Sequence, residues 1–392
     1  AVCERGARMK ETKRTRWFTA FLHMLLAPFF RWKFGYRYDD FSAVPGPYLL
    51  LANHNMDLDP ALLGVAAGQD IRFVASEHVL RKGLGSWFLT CCFDPIVHTK
   101  GKLGLKSSMD ILRSIRKGER VALFPEGNRS FNGVTGAIPP VTGKLARSTG
   151  APLITFRFEG GYFTQPRWSV RARRGEVVGH LVRVYAPEEL RGMTDEEVTE
   201  AIRKDLYEDA YRSEAAHRVA YRGRELARGL EAAIFACPAC GAIGTLRSHG
   251  DTVRCACGFS AQYTVYGELL DHTGRIHTVT DWDRLQQQRL RALLDESAED
   301  DILFSDEVTA EQIGANHGVE QTYRKTLAAR KDGVLFGDTW IPLDEIRGLA
   351  VHSRNTLTAH IGATDTQYEL RGDESFSALK YLYLYQNLRE KE

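Results

Sequence analysis

The stretch Tyr48-Leu49-Leu50-Leu51-Ala52-Asn53-His54-Asn55-Met56-Asp57-Leu58-Asp59-Pro60 decides how the first half of the chain is read. Tyr48 to Ala52 is a short apolar run bounded by polar residues, the pattern of a buried strand. Asp59-Pro60 has the composition of a helix N-cap followed by a first-turn proline. His54 therefore falls on a loop and Asp59 at a helix start. On one continuous helix of about 3.6 residues per turn, side chains five positions apart would point roughly 140° apart. Across a loop and a helix start they can converge. A histidine whose second ring nitrogen bonds a carboxylate has a fixed tautomer and serves as a general base. Asp57 is a second candidate for that carboxylate, and the sequence favours Asp59 only mildly. The 12 histidines of the chain make about one His-x4-Asp match expected by chance, so this pattern alone decides nothing. Taken singly, Asp59 would only start the helix and His54 would be an ordinary loop histidine.

Outward from this stretch, short apolar runs alternate with helical patterns from Pro47 to about Val184. Tyr48–Ala52, Ile71–Val74, Val121–Phe124 and Leu153–Phe156 read as strands, and Pro60–Ala67, Leu105–Arg116 and Thr142–Ser148 as helices. Such alternation predicts an α/β domain with a mixed, largely parallel sheet and flanking helices. A second polar segment, Phe124-Pro125-Glu126-Gly127-Asn128-Arg129-Ser130, closes the strand Val121–Phe124. Taken alone it is a Pro/Gly turn. Two motifs, each placed just after a strand, fall where open α/β sheets hold their ligands, beyond the carboxyl ends of the strands.

Together the two segments resemble the paired motifs of the glycerophospholipid acyltransferases, the 1-acylglycerol-3-phosphate acyltransferase family. The resemblance covers roughly residues 20–190. It implies that His54 is the catalytic base, Asp59 its orienting partner, and Glu126, Gly127, Asn128 and Arg129 the turn that binds the acceptor, with Arg129 on its phosphate. Asn128 replaces the threonine more usual in the family. Gly150-Ala151-Pro152-Leu153-Ile154 resembles the family's late apolar-proline block. Pro95-Ile96-Val97-His98-Thr99-Lys100 stands where the family tends to carry an arginine, and Lys100 is the stand-in for that second phosphate contact. The implied reaction moves a fatty acyl group from acyl-CoA or acyl-carrier protein to the sn-2 hydroxyl of lysophosphatidate, giving phosphatidate. Another lysophospholipid or glycerol 3-phosphate would suit the same pair of motifs.

The activated hydroxyl attacks the thioester directly in such a reaction, so no covalent nucleophile and no catalytic cofactor is expected. The chain has no Gly-x-Ser-x-Gly setting and no Gly-x4-Gly-Lys phosphate loop. Leu84–Phe93, rich in Leu, Trp and Phe, suits either an acyl-channel wall or core packing.

The first forty residues carry nine Lys/Arg against four Asp/Glu, although the formal net charge of the whole chain is only +2. This local excess flanks the apolar segment Trp17–Phe30. At 14 residues that segment falls short of the ~20 needed to span a bilayer. Its aromatics and flanking cations suit a helix lying in the membrane interface, on the cytoplasmic face, peripheral or monotopic. A signal peptide and a helix packed on the domain's own core are the other readings. No clear small-residue cleavage site follows the segment.

Four of the seven cysteines form Cys237-Pro238-Ala239-Cys240-Gly241 and Cys255-Ala256-Cys257-Gly258. Two short cysteine pairs, each ending in glycine, have the shape of a zinc ribbon with a closed, structural Zn2+ site. Disulfides are the rival reading, while Cys3, Cys91 and Cys92 are scattered as free thiols are in a reducing compartment. Zinc ribbons also occur in nucleic-acid binders, which supplies a reading of another class, a non-catalytic binding or scaffold protein. Arg247 and Arg254 are the chief cations near the knuckles, a thin footprint for nucleic acid.

The expected organisation is a basic amphipathic segment (1–40), the acyltransferase-like α/β domain (41–194), a long helical linker (195–235), the zinc-ribbon-like module with a helix (236–299), and a small β-rich domain closed by a helix (300–392). That last pattern resembles a pleckstrin-homology-like or related small barrel. Neither the oligomeric state nor the exact acceptor is fixed by these patterns.

Overall fold

The computed structural model describes residues 13–76, 95–98, 105–213, 218–314, 318–362 and 366–390. Lys100, the segment Leu84–Phe93 and Cys3, Cys91 and Cys92 lie outside the described residues. The chain divides into two compact units, one of Ala1–Pro166 with Arg173–Tyr221, the other of Arg167–Ala172 with Arg222–Glu392.

The first unit is an α/β layer structure. Its strands are β1 (Arg37–Tyr38), β2 (Leu49–Ala52), β3 (Arg72–Ser76), β4 (Ile96–His98), β5 (Val121–Leu123), β6 (Leu153–Glu159) and β7 (Val178–Tyr185). They lie in the order β1-β7-β6-β2-β5-β3-β4. Every pairing is parallel except β6 with β7.

β2 is central and fully buried, as expected of a parallel strand covered on both faces. The two-residue period of a strand divides its side chains. Leu50 and Ala52 pack with Leu62, Leu63 and Phe156, and Leu49 and Leu51 pack with Ile111, Leu145 and Ile202. Because β2 pairs directly with β5 in parallel, the loops after both strands leave the sheet at the same edge. That adjacency positions the site.

The helix Lys13–Phe34 is longer than the apolar run that announces it, and it contains Pro28. Phe30 and Phe34 are buried in the core of the unit, while Met24, Leu25, Phe29 and Trp32 are exposed. Among the described residues no helix is long and apolar enough to cross a membrane.

The continuous helix expected over 195–235 is a correction. A 12-residue helix, Asp195–Leu206, starts at a Thr194–Glu197 capping box and ends with Tyr207 in extended backbone. Val198, Ile202 and Leu206 bury its apolar face against Leu145 and Ala146, so this helix belongs to the first unit and is no linker. The apolar spacing continued past Leu206, but the chain there gives up helical hydrogen bonds to carry Glu208 into the core.

The second unit holds two antiparallel sheets. Five strands, β8 (Leu246–His249), β9 (Thr252–Cys255), β10 (Ser260–Tyr263), β11 (Leu269–Asp271) and β12 (Ile276–His277), form a meander followed by the helix Val279–Glu296. Seven more, β13 (Phe304–Ile313), β14 (Val319–Ala329), β15 (Gly333–Phe336), β16 (Thr339–Pro342), β17 (Ile346–His352), β18 (Thr356–Ile361) and β19 (Thr366–Gly372), lie in the order β16-β15-β14-β13-β19-β18-β17. The helix Ala378–Arg389 packs against β17 and β18. The fold is thus a mixed α/β domain with a separate antiparallel β-rich C-terminal region.

Candidate active site and cysteine cluster

The loop after β2 brings His54 and Asp59 together. Nδ1 of His54 lies 2.9 Å from Oδ2 of Asp59. The helix begins at Asp59 itself, with Leu58 at the cap position and Pro60 in the first turn, one residue earlier than the sequence suggests. The Asp59 carboxylate turns back over the loop, where Oδ2 also accepts from the backbone N–H groups of Asn55 at 2.6 Å and Met56 at 2.9 Å. Asp59 is fully buried while the His54 side chain keeps 22% of its surface exposed. The imidazole stacks on Phe124, ring centroids 4.6 Å apart. One ring nitrogen is thereby fixed by a carboxylate, which leaves Nε2 for proton transfer.

Asp57, the alternative carboxylate, faces elsewhere. It pairs with Arg129, Oδ1 to Nε 3.2 Å, and its Oδ2 accepts from Gln165. The Arg129 side chain is 10% exposed and that of Asp57 62%. Burial lowers the pKa of Arg129, and the carboxylates of Asp57 and Asp59 oppose that shift. A guanidinium can also make charge-assisted, bidentate bonds to a phosphate.

Glu126 does not project into open space. Its Oε1 accepts from the backbone N–H of His54 at 2.7 Å, and its Oε2 from the N–H of Gly136. Ser130 N–H in turn donates to the His54 carbonyl at 3.2 Å. The carboxylate thus braces the two motif loops against each other. Desolvation raises its pKa to about 8, against the lowering effect of the two N–H donors, and the nearby Asp59 charge adds to the rise. Gly127 is exposed and Asn128 half-buried on the same turn.

Three buried residues of the site carry no signal in the sequence motif. Asn53 exchanges two hydrogen bonds with Phe158 on β6, Nδ2 to the carbonyl at 2.9 Å and Oδ1 from the N–H at 2.7 Å. Asn55 and Asn53 both donate to Glu208, which also accepts from Gly160 N–H. Desolvation raises the Glu208 pKa to about 8, against the hydrogen bond from Asn55. Glu208 stands 153 positions beyond Asn55. The one available sign was the pair of asparagines flanking His54, polar residues in a loop tight enough to need buried partners.

In the second unit the sulfur atoms of Cys237, Cys240, Cys255 and Cys257 all lie within 4.8 Å of one another. The Cys237–Cys257 and Cys240–Cys255 separations are 3.7 and 3.8 Å. Disulfides need about 2.05 Å, so that rival is excluded for these four thiols. A tetrahedral ion with ~2.3 Å metal–sulfur bonds sets edges of about 3.8 Å, which the cluster matches. Gly241 and Gly258 turn the two knuckles with φ of +73° and +95°, a conformation costly for any residue with a Cβ. These four cysteines could hold a metal ion.

A search among curated proteins gives no match. The crystal structure of the 1-acyl-sn-glycerophosphate (LPA) acyltransferase PlsC from Thermotoga maritima is similar over 52% of this chain and 83% of that one, with 18% identity and a TM-score of 0.44. Residues 36–159, which include both motif loops, match the sequence model of the family described as Acyltransferase.

Proposed function

We propose that the first unit transfers a fatty acyl group from acyl-CoA or acyl-carrier protein to the sn-2 hydroxyl of lysophosphatidate, giving phosphatidate. The observation that supports this reading most is the 2.9 Å contact of His54 with Asp59 beside a buried Arg129 whose partner, Asp57, is exposed. His54 Nε2 takes the proton of the acceptor hydroxyl as its oxygen attacks the thioester carbonyl. The carbon–oxygen bond forms, the carbon–sulfur bond breaks, and the proton passes from the imidazolium to the departing thiolate. Asp59 holds the tautomer and stabilises the imidazolium. Arg129 exchanges Asp57 for the acceptor phosphate. The family match supports acyl transfer in general, Arg129 supports an acceptor that bears a phosphate, and lysophosphatidate is the acceptor proposed among these.

The same proposal includes the surroundings of the chemistry. The exposed row Leu25, Phe29 and Trp32, set four and three residues apart on one helix face, would lie in the acyl boundary of a membrane where the acceptor resides. Phe30 and Phe34 hold the opposite face to the core, so the helix both packs and presents. Zn2+ is the ion proposed for the four thiolates, in a closed structural site. About one equivalent per chain is expected by metal analysis, and a protein purified without chelator yet free of zinc would overturn that assignment.

The test is an acceptor panel with labelled acyl-CoA and acyl-carrier protein, run on the intact chain and on His54→Ala. Lysophosphatidate acylated by the native chain and not by the variant supports the proposal. Acylation of glycerol 3-phosphate or of a phosphate-free acceptor in preference to lysophosphatidate overturns the acceptor, and turnover by His54→Ala overturns the base.

A further inference from the structure

The seven-stranded sheet of the second unit does not close on itself among the described residues. β16 and β17 stand at its two ends, joined in sequence by the short helical turn Leu343–Glu345. Between these edges and the helix Ala378–Arg389 lies a cavity of about 360 Å3, lined among others by Leu327, Phe336, Trp340, Leu349, Ala359 and Leu388. Native cores leave few voids larger than a water molecule. A partly open space of this volume, where β16 and β17 end the sheet, has room for a ligand.

Its chemistry selects the occupant. Almost all the lining is aliphatic or aromatic, and Lys325 and Glu345 are its charged members. Two of its hydroxyls are already engaged by backbone carbonyls, Tyr381 on Leu327 at 2.9 Å and Tyr385 on Ile346 at 3.2 Å. A ligand polar along its whole length would find few partners for its groups there, and unpaired polar groups are costly in apolar surroundings. At about 30 Å3 for a water-sized group, the space holds roughly a dozen methylenes. Lys325 is half-buried with its ammonium 5.5 Å from the Phe336 ring, and Trp340 on the edge strand is 37% exposed. Apolar depth and a cation among partly exposed aromatics describe a site for one alkyl chain with an anionic end.

We propose that this cavity binds a single acyl chain, its methylenes between the edge strands β16 and β17 and the C-terminal helix, its anionic head beside Lys325. A free fatty acid and a lysophospholipid share that chemistry. The proposal stands apart from catalysis at His54, which belongs to the other unit.

The experiment is photolabelling of the full chain with a diazirine-bearing hexadecanoic acid, with peptides mapped by mass spectrometry. His54→Ala serves as background, so turnover plays no part and loss of catalysis does not bear on the result. Saturable labelling of peptides within 333–349 or 378–389 is expected, falling at least about tenfold, or ~1.4 kcal/mol, in Ala359→Phe, which fills the cavity. Leu349→Trp narrows it from the half-exposed edge strand and carries the test if the first variant fails to fold. Competition by unlabelled fatty acid against lysophosphatidate tells which head is preferred, and displacement by either supports the site. Labelling confined to residues 36–159, labelling unchanged in a folded filled variant, or displacement by a rigid sterol but by neither alkyl ligand would each overturn it.

Discussion

The backbone N–H of His54 donates to the Glu126 carboxylate at 2.7 Å, so a side chain of the loop that carries Arg129 holds the residue proposed as base, beside the backbone bond from Ser130. Without Glu126 each loop keeps its strand, but the bond from Ser130 to the His54 carbonyl is left to hold their register. Glu126→Ala is expected to lower kcat about 100-fold, the scale of a misplacement near 1 Å, with Glu126→Gln less affected because its amide oxygen still accepts from one N–H. Steady-state kinetics of the two variants check this, and an alanine variant with native kcat would mean the loops hold their positions unaided.

Asp59 and Asp57 have separate tasks, and conservative variants separate them. Asp59→Asn keeps the shape but removes the charge opposite His54 Nδ1, and a drop in kcat approaching 10⁴-fold is expected by analogy with other His–Asp pairs. Asp57→Asn should leave kcat near native, since Asp57 reaches Arg129 and Gln165 and not the imidazole. Equal losses in both variants would contradict the assignment.

How much of this site the sequence disclosed depended on the range of the interaction. His54 and Asp59 are five residues apart, and the helix start between them is encoded locally by Asp59-Pro60, so their meeting was readable. The approach of Arg129 required only that two strands be neighbours, which the strand-then-motif placement suggested. Asp59 against Asp57 was not decided by spacing, because the loop bends Asp57 outward to Arg129. Glu208 was illegible. The spacing of Val198, Ile202 and Leu206 announced a helix but carried no stop signal, and the groups that bond the chain just past it, Thr135 to the Leu206 carbonyl and Asn53 and Asn55 to Glu208, lie far away in sequence. The N-terminal helix was read as interfacial, as a signal peptide or as packed on the core; Phe30 and Phe34 do pack there, while Leu25, Phe29 and Trp32 are exposed.

Arg129 pairs with the exposed Asp57, and the acceptor phosphate is expected to take over its guanidinium. Hydrogen bonds to charged groups contribute about 1.5–3 kcal/mol, so Arg129→Ala should raise the apparent KM for a phosphate-bearing acceptor by roughly 10- to 150-fold, with kcat changed less. Asp57→Asn removes the competitor and should lower that KM. Titration of acceptor against native and variant rates measures both. An unchanged KM in Arg129→Ala would remove the phosphate from this residue.

Glu208 and Glu126 predict an unusual pH dependence of stability. Burial raises both from the ordinary 4.5 to about 8 in the folded chain, so between these values the folded state holds protons that the unfolded chain releases. Their contribution is therefore fully present below about 4.5 and is lost as pH rises through about 8, the reverse of a salt-bridged carboxylate. Glu208→Gln keeps an acceptor for Asn55 while removing the ionisable group, so it should reduce by about half the part of the decline that these two carboxylates cause. Thermal unfolding midpoints followed across this range test the sign directly. A midpoint that rises with pH in the native chain and is unaltered in slope by Glu208→Gln would show that the Glu208 carboxyl is ionised where it is buried, and that Asn53 and Asn55 bind it as an anion.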